Sequence, residues 1–389
     1  MKRLKQALSL GLAGVMMTAA PVAAFAASPE FSRSAEEWAK LRDNTIEYDE
    51  LEGLIQEYNA TVQTNNLDLA EFKRKYGDTK DDVSSKYRDM ADEIYSSINY
   101  PESDETTYGM LIGSVAMAEI QAKNMEQQAD DNLEDSEIIY LNYKSAEKTL
   151  VTVAQTNMIS YEKDQIALKQ AELAKCQAEI ALTTTQTQAS LGMSTEVDVL
   201  NAQESIQNAD RNVESSKAAI ENVRQKLQVM LGWKYNDTPE ITEVPASDMS
   251  RIDAMDPTAD KDAALENNYV LKVNKKKLAN ADAANTKESL QKTIEDNERK
   301  IASSLVTSYQ NVLTAKLAYD QAAANLELAQ RNLNSLQLQF DQGKASRNAL
   351  ENQQIAVENA ELALKTADLN LFQTMETYDW NVNGLASTS

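Results

Sequence analysis

The polar reactive groups this chain holds in quantity are carboxylates, hydroxyls and the cationic groups of 38 Lys and Arg. Asp and Glu number 61, cysteine occurs once, at Cys176, and histidine does not occur. Without an imidazole there is no Ser-His-Asp or Cys-His nucleophile and no ordinary zinc set. Neither G-x-G-x-x-G nor G-x-x-x-x-G-K-[ST] is present to cradle a phosphate. Carboxylates that work as general acid and base need an apolar pocket to move their pKa values apart. Asp130-Asp131, Glu134-Asp135 and Lys80-Asp81-Asp82 stand instead in polar helical pattern and read as solvated surface. An enzyme is not expected, and neither is a cofactor or a metal. The net charge of −23 disfavours nucleic acid and anionic membrane surfaces as partners. Cys176 sits in helical pattern and is expected to be a small buried residue; alone, it forms no intrachain disulfide.

One carboxylate has a specific structural task. In the stretch from Leu191 to Gln203, Gly192 suits the left-handed backbone that ends a helix. Thr195 can cap the next helix, and Asp198 three residues on completes a capping-box spacing. The stretch therefore reads as a tight turn between antiparallel helices, and it occurs twice. Shifted by 151 residues, Gln342-Gly343-Lys344-Ala345-Ser346 places Gly343 under Gly192 and Ser346 under Thr195.

The elements that position these turns follow the same duplication. After the first turn, Val199, Ile206, Val213, Ile220 and Leu227 recur at a seven-residue step; after the second, Leu350, Val357, Leu364, Leu371 and Tyr378 do. A companion seam is small: Ala202, Ala209 and Ser216 in one copy, Ala360 and Ala367 in the other. This is a coiled-coil pattern in an internal repeat, with seams that admit close backbone approach. With 10 Gly and 6 Pro in 389 residues, the expected fold class is all-α, long antiparallel coiled-coil hairpins in two tandem repeats.

Along the chain, Lys2, Arg3 and Lys5, the apolar run Leu8 to Ala20 and Ala24-Phe25-Ala26 mark residues 1–26 as a secretory signal peptide, too short to span a membrane as a helix. Its removal would take the charge from −23 to −26. Residues 27–232 form the first helical repeat, with its tip near Gly192 and a loop at Asn99 to Glu105, where Pro101 stops helix. From Tyr108 to Ser190 no proline interrupts the helical pattern. Residues 233–258 are a connector with Pro239, Pro245 and Pro257 and one short strand near Ile241 to Val244. Residues 259–383 form the second repeat, with its tip near Gly343; Ala264 to Val270 echoes Ile55 to Thr61, and Asn285 to Glu288 is the candidate break. Residues 384–389 are expected to fray.

The glycine turn followed by Asp198-Val199-Leu200-Asn201-Ala202-Gln203, the Ala-rich heptad, the closing Leu231-Gly232 and the duplicated hairpin resemble the TolC outer-membrane efflux protein family. The resemblance covers most of residues 35–385. It implies a homotrimer whose repeats form a helical tube. It also implies that the turns dock on a membrane-fusion adaptor and that an inner-membrane or ABC exporter drives substrate through. The implied docking residues are Leu191, Gly192, Met193, Ser194, Thr195, Gln342, Gly343, Lys344, Ala345 and Ser346. The implied location is the cell envelope, at the outer membrane. Two departures stand out. Where the family has inner acidic constriction residues, the second repeat has Ala349 and Asn352, leaving Asp198 in the first. Where the family has membrane strands, nothing here alternates over ten residues, so no β-barrel is expected. A coiled-coil envelope spacer without a conducted substrate is the second class of function the pattern fits.

Overall fold

The computed structural model describes residues 33–100, 108–234 and 236–388. The leader over residues 1–26, most of the Pro101 loop and Ser389 lie outside the described residues. Among those described, secondary structure is helical apart from two two-residue strands.

The first repeat opens with α1 (Ala35–Leu41), β1 (Thr45–Ile46), α2 (Leu51–Tyr58) and α3 (Ala60–Tyr76). Then come α4 (Lys80–Ser97), α5 (Tyr108–Asp130), α6 (Ser136–Ser190) and α7 (Glu196–Met230). The connector holds β2 (Glu240–Ile241) and α8 (Ser250–Ala254). The second repeat is α9 (Lys261–Asn267), α10 (Tyr269–Asn280), α11 (Ala284–Asp341) and α12 (Arg347–Trp380), closed by a π-turn at Asn381–Leu385.

The long helices form one layer. Helix α6 pairs antiparallel with α7, and α11 with α12; α6 and α12 then pack side by side. Lys163 donates to Gln373 at 2.7 Å, Lys365 pairs with Glu162 at 2.8 Å, and Asn348 donates to Thr184 at 2.7 Å along that junction. The lateral order is α7, α6, α12, α11, with α7 and α11 outermost among the long helices; the first part of α11 is packed by α9 and α10. The heptad seam closes the first hairpin: Ala209, Val213 and Leu227 are buried, with Val199, Ala202 and Ile206 half-buried. In the second hairpin Leu350 and Val357 are buried, with Ala360, Leu364 and Ala367 half-buried. The seam is thus used for packing within one chain. Replacing Ala209 or Ala360 by leucine is expected to overpack a hairpin at about 1–3 kcal/mol, read as a lower urea midpoint.

The thick part of the molecule lies where the short helices and the connector cross this layer. One core gathers Trp38, Ile46, Leu54, Ile55, Met158, Ile159, Leu227, Leu231 and Phe372. The other gathers Ile252, Leu271, Ile301, Leu305, Met375 and Tyr378. The strand expected in the connector starts one residue earlier and pairs in parallel with β1, Thr45 opposite Glu240 and Ile46 opposite Ile241. β1 escaped the sequence reading because two residues show no alternation. The connector is also tied to the layer by the Val244 N–H, which donates to the buried Glu162 at 2.8 Å.

Several expectations are corrected. The Tyr108-to-Ser190 pattern is two helices, broken at Asp131–Asp135. Asp135 is not solvated: it is 2% exposed, caps α6 through the Ile138 N–H at 2.9 Å, and accepts from Asn280 at 2.8 Å. Asp82 completes a capping box with Thr79 on α4, and Lys80 is paired with Asp282. The break in the second repeat falls at Ala281 to Ala283, and Asn285 to Glu288 lies inside the 58-residue α11. Cys176 is exposed, because a single layer of helices buries only the residues in its seams. Gly384 to Thr388 does not fray: Ala386 is 4% exposed, and its carbonyl accepts from Asn268 at 2.9 Å.

Candidate functional site

The two tips are built alike. At the first, the Met193 N–H reaches the Gln188 carbonyl at 2.8 Å and the Gly192 N–H reaches Ala189 at 3.0 Å. At the second, Lys344 reaches Gln339 at 2.8 Å and Gly343 reaches Phe340 at 2.8 Å. Both patterns are Schellman closures, which need a left-handed residue; Gly192 has φ +72° and Gly343 has φ +70°. A Cβ at either would meet nothing within 4 Å, so conformation alone selects glycine there. Thr195 then caps α7 in a full capping box with Asp198, whereas Ser346 caps α12 through the Ala349 N–H at 3.2 Å. The Asn348–Thr184 bond holds the tips side by side.

Exposure distinguishes the tips from plain turns. Leu191 is 69% and Met193 is 75% exposed at the end of the hairpin. Ser194 and Ala345 are half-buried, while Thr195, Gln342, Lys344 and Ser346 are exposed. Lys344 reaches only Gln342, at 2.8 Å, so its charge faces outward. Asp198 accepts from the Thr195 N–H at 2.8 Å and from the Thr195 and Ser194 hydroxyls at 2.7 and 3.0 Å. It is thereby occupied as a cap.

The Thr195 N–H, then the two hydroxyls, hold the Asp198 carboxyl below its usual range. Its folded pKa lies below the unfolded one. The contribution is therefore complete above the ordinary carboxylate range and is lost as pH falls through the lowered value. Protection factors of the first-turn amides of α7, corrected for the intrinsic exchange rate, should fall on acidification, whereas those of α12, with Ala349 in place of the aspartate, should not follow the same titration.

Two features escaped the search for a site. Asn59 and Asn268, the echoed positions, are buried at the kinks between α2 and α3 and between α9 and α10. Each caps the helix that follows, and each donates to a distant carbonyl at 2.9 Å, Met230 for Asn59 and Ala386 for Asn268. Gly232, φ +84°, lies against Tyr58, and Gly384, φ +111°, lies against Asn267. The shared Asn would have been the signal. The second feature is on the outermost helices. Val306, Leu313, Leu317, Leu328 and Leu338 are exposed on α11 and fall on one stripe at 3.6 residues per turn. On α7, Val197 and Leu200 are exposed beside the tip and Val229 at the far end, with exposed Glu204, Asn208, Arg211, Ser215 and Asn222 between them on that face. Among the described residues no group of three or more Cys, Asp or Glu is placed to hold a metal ion, and no helix is long and apolar enough to cross a membrane.

The fold and its tips define a class: a chain of paired helical hairpins in one layer with exposed lateral edges. Comparison with protein-family models and with curated proteins gives no match. Solved structures do match. The outer-membrane channel OprN is 12% identical, covering 95% of this chain and 97% of that one, with a TM-score of 0.52. A membrane protein from Pseudomonas aeruginosa is 11% identical over 87% and 93%, at 0.51. The CmeC outer membrane channel of Campylobacter jejuni is 10% identical over 90% and 88%, at 0.50. The fold is TolC-like.

Proposed function

We propose that this chain is a subunit of a TolC-like export or efflux duct of the cell envelope. Three copies close into a helical tube, docked by its glycine tips on a membrane-fusion adaptor and fed by an inner-membrane or ABC exporter. The observation that carries the reading is the open layer α7-α6-α12-α11, with an apolar stripe along α11 and exposed Val197 and Leu200 beside the tip on α7. Helix α7 runs away from the tip and α11 runs toward it, so the α11 edge of one copy meets the α7 edge of the next in the same antiparallel sense. Such a head-to-tail contact covers the α11 stripe together with Leu200, and it closes in a ring when the rotation between copies divides a full turn. The similarity to outer-membrane channels supports the same arrangement.

The ring is tested at its edge. Leu317, 69% exposed on α11, contributes little to the isolated subunit. Leu317→Glu is expected to leave helicity and the unfolding midpoint unchanged while shifting sedimentation from oligomer to monomer. A folded monomer for the unaltered protein at high concentration would remove the duct reading.

Docking is tested at the tips. Met193→Asp with Lys344→Asp should preserve helicity and oligomer size, because both side chains face water, yet abolish pull-down of an adaptor. Undiminished binding would reduce the tips to turns.

A further inference from the structure

In a TolC-like tube, membrane strands would stand between the helices of each repeat. In the first repeat that place holds the hairpin of α4 and α5, which packs on itself through Val83, Ser84 and Ala91 on one side and Val115, Ala122 and Ala129 on the other. In the second repeat it holds only Ala281 to Ala283. The breaks at the base of the hairpin meet there: Asn280 donates to the Leu133 carbonyl at 2.9 Å, and Lys277 pairs with Glu134 at 2.7 Å.

Helix α5 has a second seam that nothing in the chain covers. Met110, Gly113, Met117, Ile120, Asn124 and Gln127 follow a three-four spacing along its far side. Met110 is 80%, Met117 72% and Ile120 61% exposed. This seam is free of charge in a chain of net charge −23. The carboxylates of α5 are turned to the other side: Glu119 accepts from Tyr100 at 2.9 Å, Glu126 from Tyr95 at 3.4 Å, and Asp130 pairs with Arg88 at 3.1 Å.

We propose that this seam is a homotypic interface, on which the α5 helices of neighbouring copies pack in parallel around the ring axis. The inference rests on the cyclic association proposed above and names the element that closes the end of the duct far from the tips. Three arguments select another copy of this chain as the occupant. A heptad seam is completed by a helix of the same period, which each copy supplies at the same height. An uncharged stripe is where chains this acidic can meet with least repulsion. Asn124 and Gln127 continue the seam as polar positions that a partner helix can pair in register, a role such residues serve in coiled coils. A lipid surface fits less well, because the seam turns polar at Asn124 and the segment joining α4 to α5 carries Glu102, Asp104 and Glu105.

The test is disulfide trapping in a Cys176→Ser background. Met117→Cys should form a covalent dimer between like positions under mild oxidation, while Lys123→Cys, outside the seam on the same helix, should remain uncrosslinked. An environment-sensitive label at residue 117 should shift to the blue on oligomerisation and show no further shift with phosphatidylethanolamine–phosphatidylglycerol vesicles. Oligomers that form without trapping at residue 117 would overturn the seam and leave the duct reading standing. A blue shift that requires vesicles would assign the seam to lipid. A monomer under all conditions would overturn both readings.

Discussion

Asn268→Ala is expected to destabilise the subunit by about 2–4 kcal/mol, and Asn59→Ala by a similar amount. Each asparagine does two things at once. Its side-chain oxygen accepts from the first turn of the following helix, Leu271 for Asn268 and Thr61 with Val62 for Asn59. Its amide nitrogen donates to a carbonyl at the end of the same repeat. Alanine removes the cap, worth about 1 kcal/mol, and leaves a buried carbonyl without its donor, at about 1–3 kcal/mol more. Asn268 is 1% exposed, so water does not easily take its place. Asn→Asp at either position separates the two roles, since it keeps the cap acceptor and loses the donor. Urea midpoints should place the Asp variants well below wild type. Asp variants as stable as wild type would reduce the asparagines to ordinary caps.

The second large effect is a contrast among glycines of nearly the same backbone shape. Gly232→Ala is expected to cost about 2–5 kcal/mol, the sum of a left-handed penalty and an overpacking term. Its new Cβ would lie 2.6 Å from the Tyr58 Cβ and 3.0 Å from the Tyr58 carbonyl oxygen. Gly384→Ala meets the Asn267 carbonyl oxygen at 2.6 Å and should behave likewise. Gly192→Ala and Gly343→Ala carry the same penalty for positive φ but meet open space, and each should cost about 1–2 kcal/mol. Thermal unfolding of the four single variants should separate into these two pairs. Equal losses at all four would mean that the packing of Gly232 and Gly384 on the kinks contributes nothing.

The parts of this molecule that local chemistry determines were legible in the sequence. Gly192 with Thr195 and Asp198, and Gly343 with Ser346, encode turn and cap within a few residues, and both turns form as read. The heptads from Val199 and Leu350 encode the hairpins for the same reason. What escaped depends on distant partners. The break at Asp131–Asp135 contains neither Gly nor Pro; it exists because Asp135 can cap α6 while receiving Asn280 from the other repeat. The kinks at Asn59 and Asn268 interrupt patterns that periodicity reads as continuous. Cys176 was misjudged because amphipathic pattern in a single-layer structure marks seams, and a residue outside the seam is wetted. Of the candidate site, the positions and the exposure of Leu191 and Met193 followed from the sequence. The side-by-side placement of the tips required the packing of α6 on α12.

The proposed ring closure also accounts for the exposed apolar residues at the edges of the layer. The apolar stripe on α11 and the exposed Val197 and Leu200 on α7 lie on the two outermost helices of the layer, both of which end at the tips.

The most direct measurement is a head-to-tail crosslink across those edges. Leu200 lies shortly after the first tip on α7 and Leu338 shortly before the second on α11, at matching heights and on opposite edges of one chain. With Cys176→Ser, the paired variant Leu200→Cys and Leu338→Cys should oxidise into a ladder that ends at a closed covalent trimer, and each single variant should give no ladder. A double variant that stays uncrosslinked, in a protein that sediments as a folded monomer, would contradict the account.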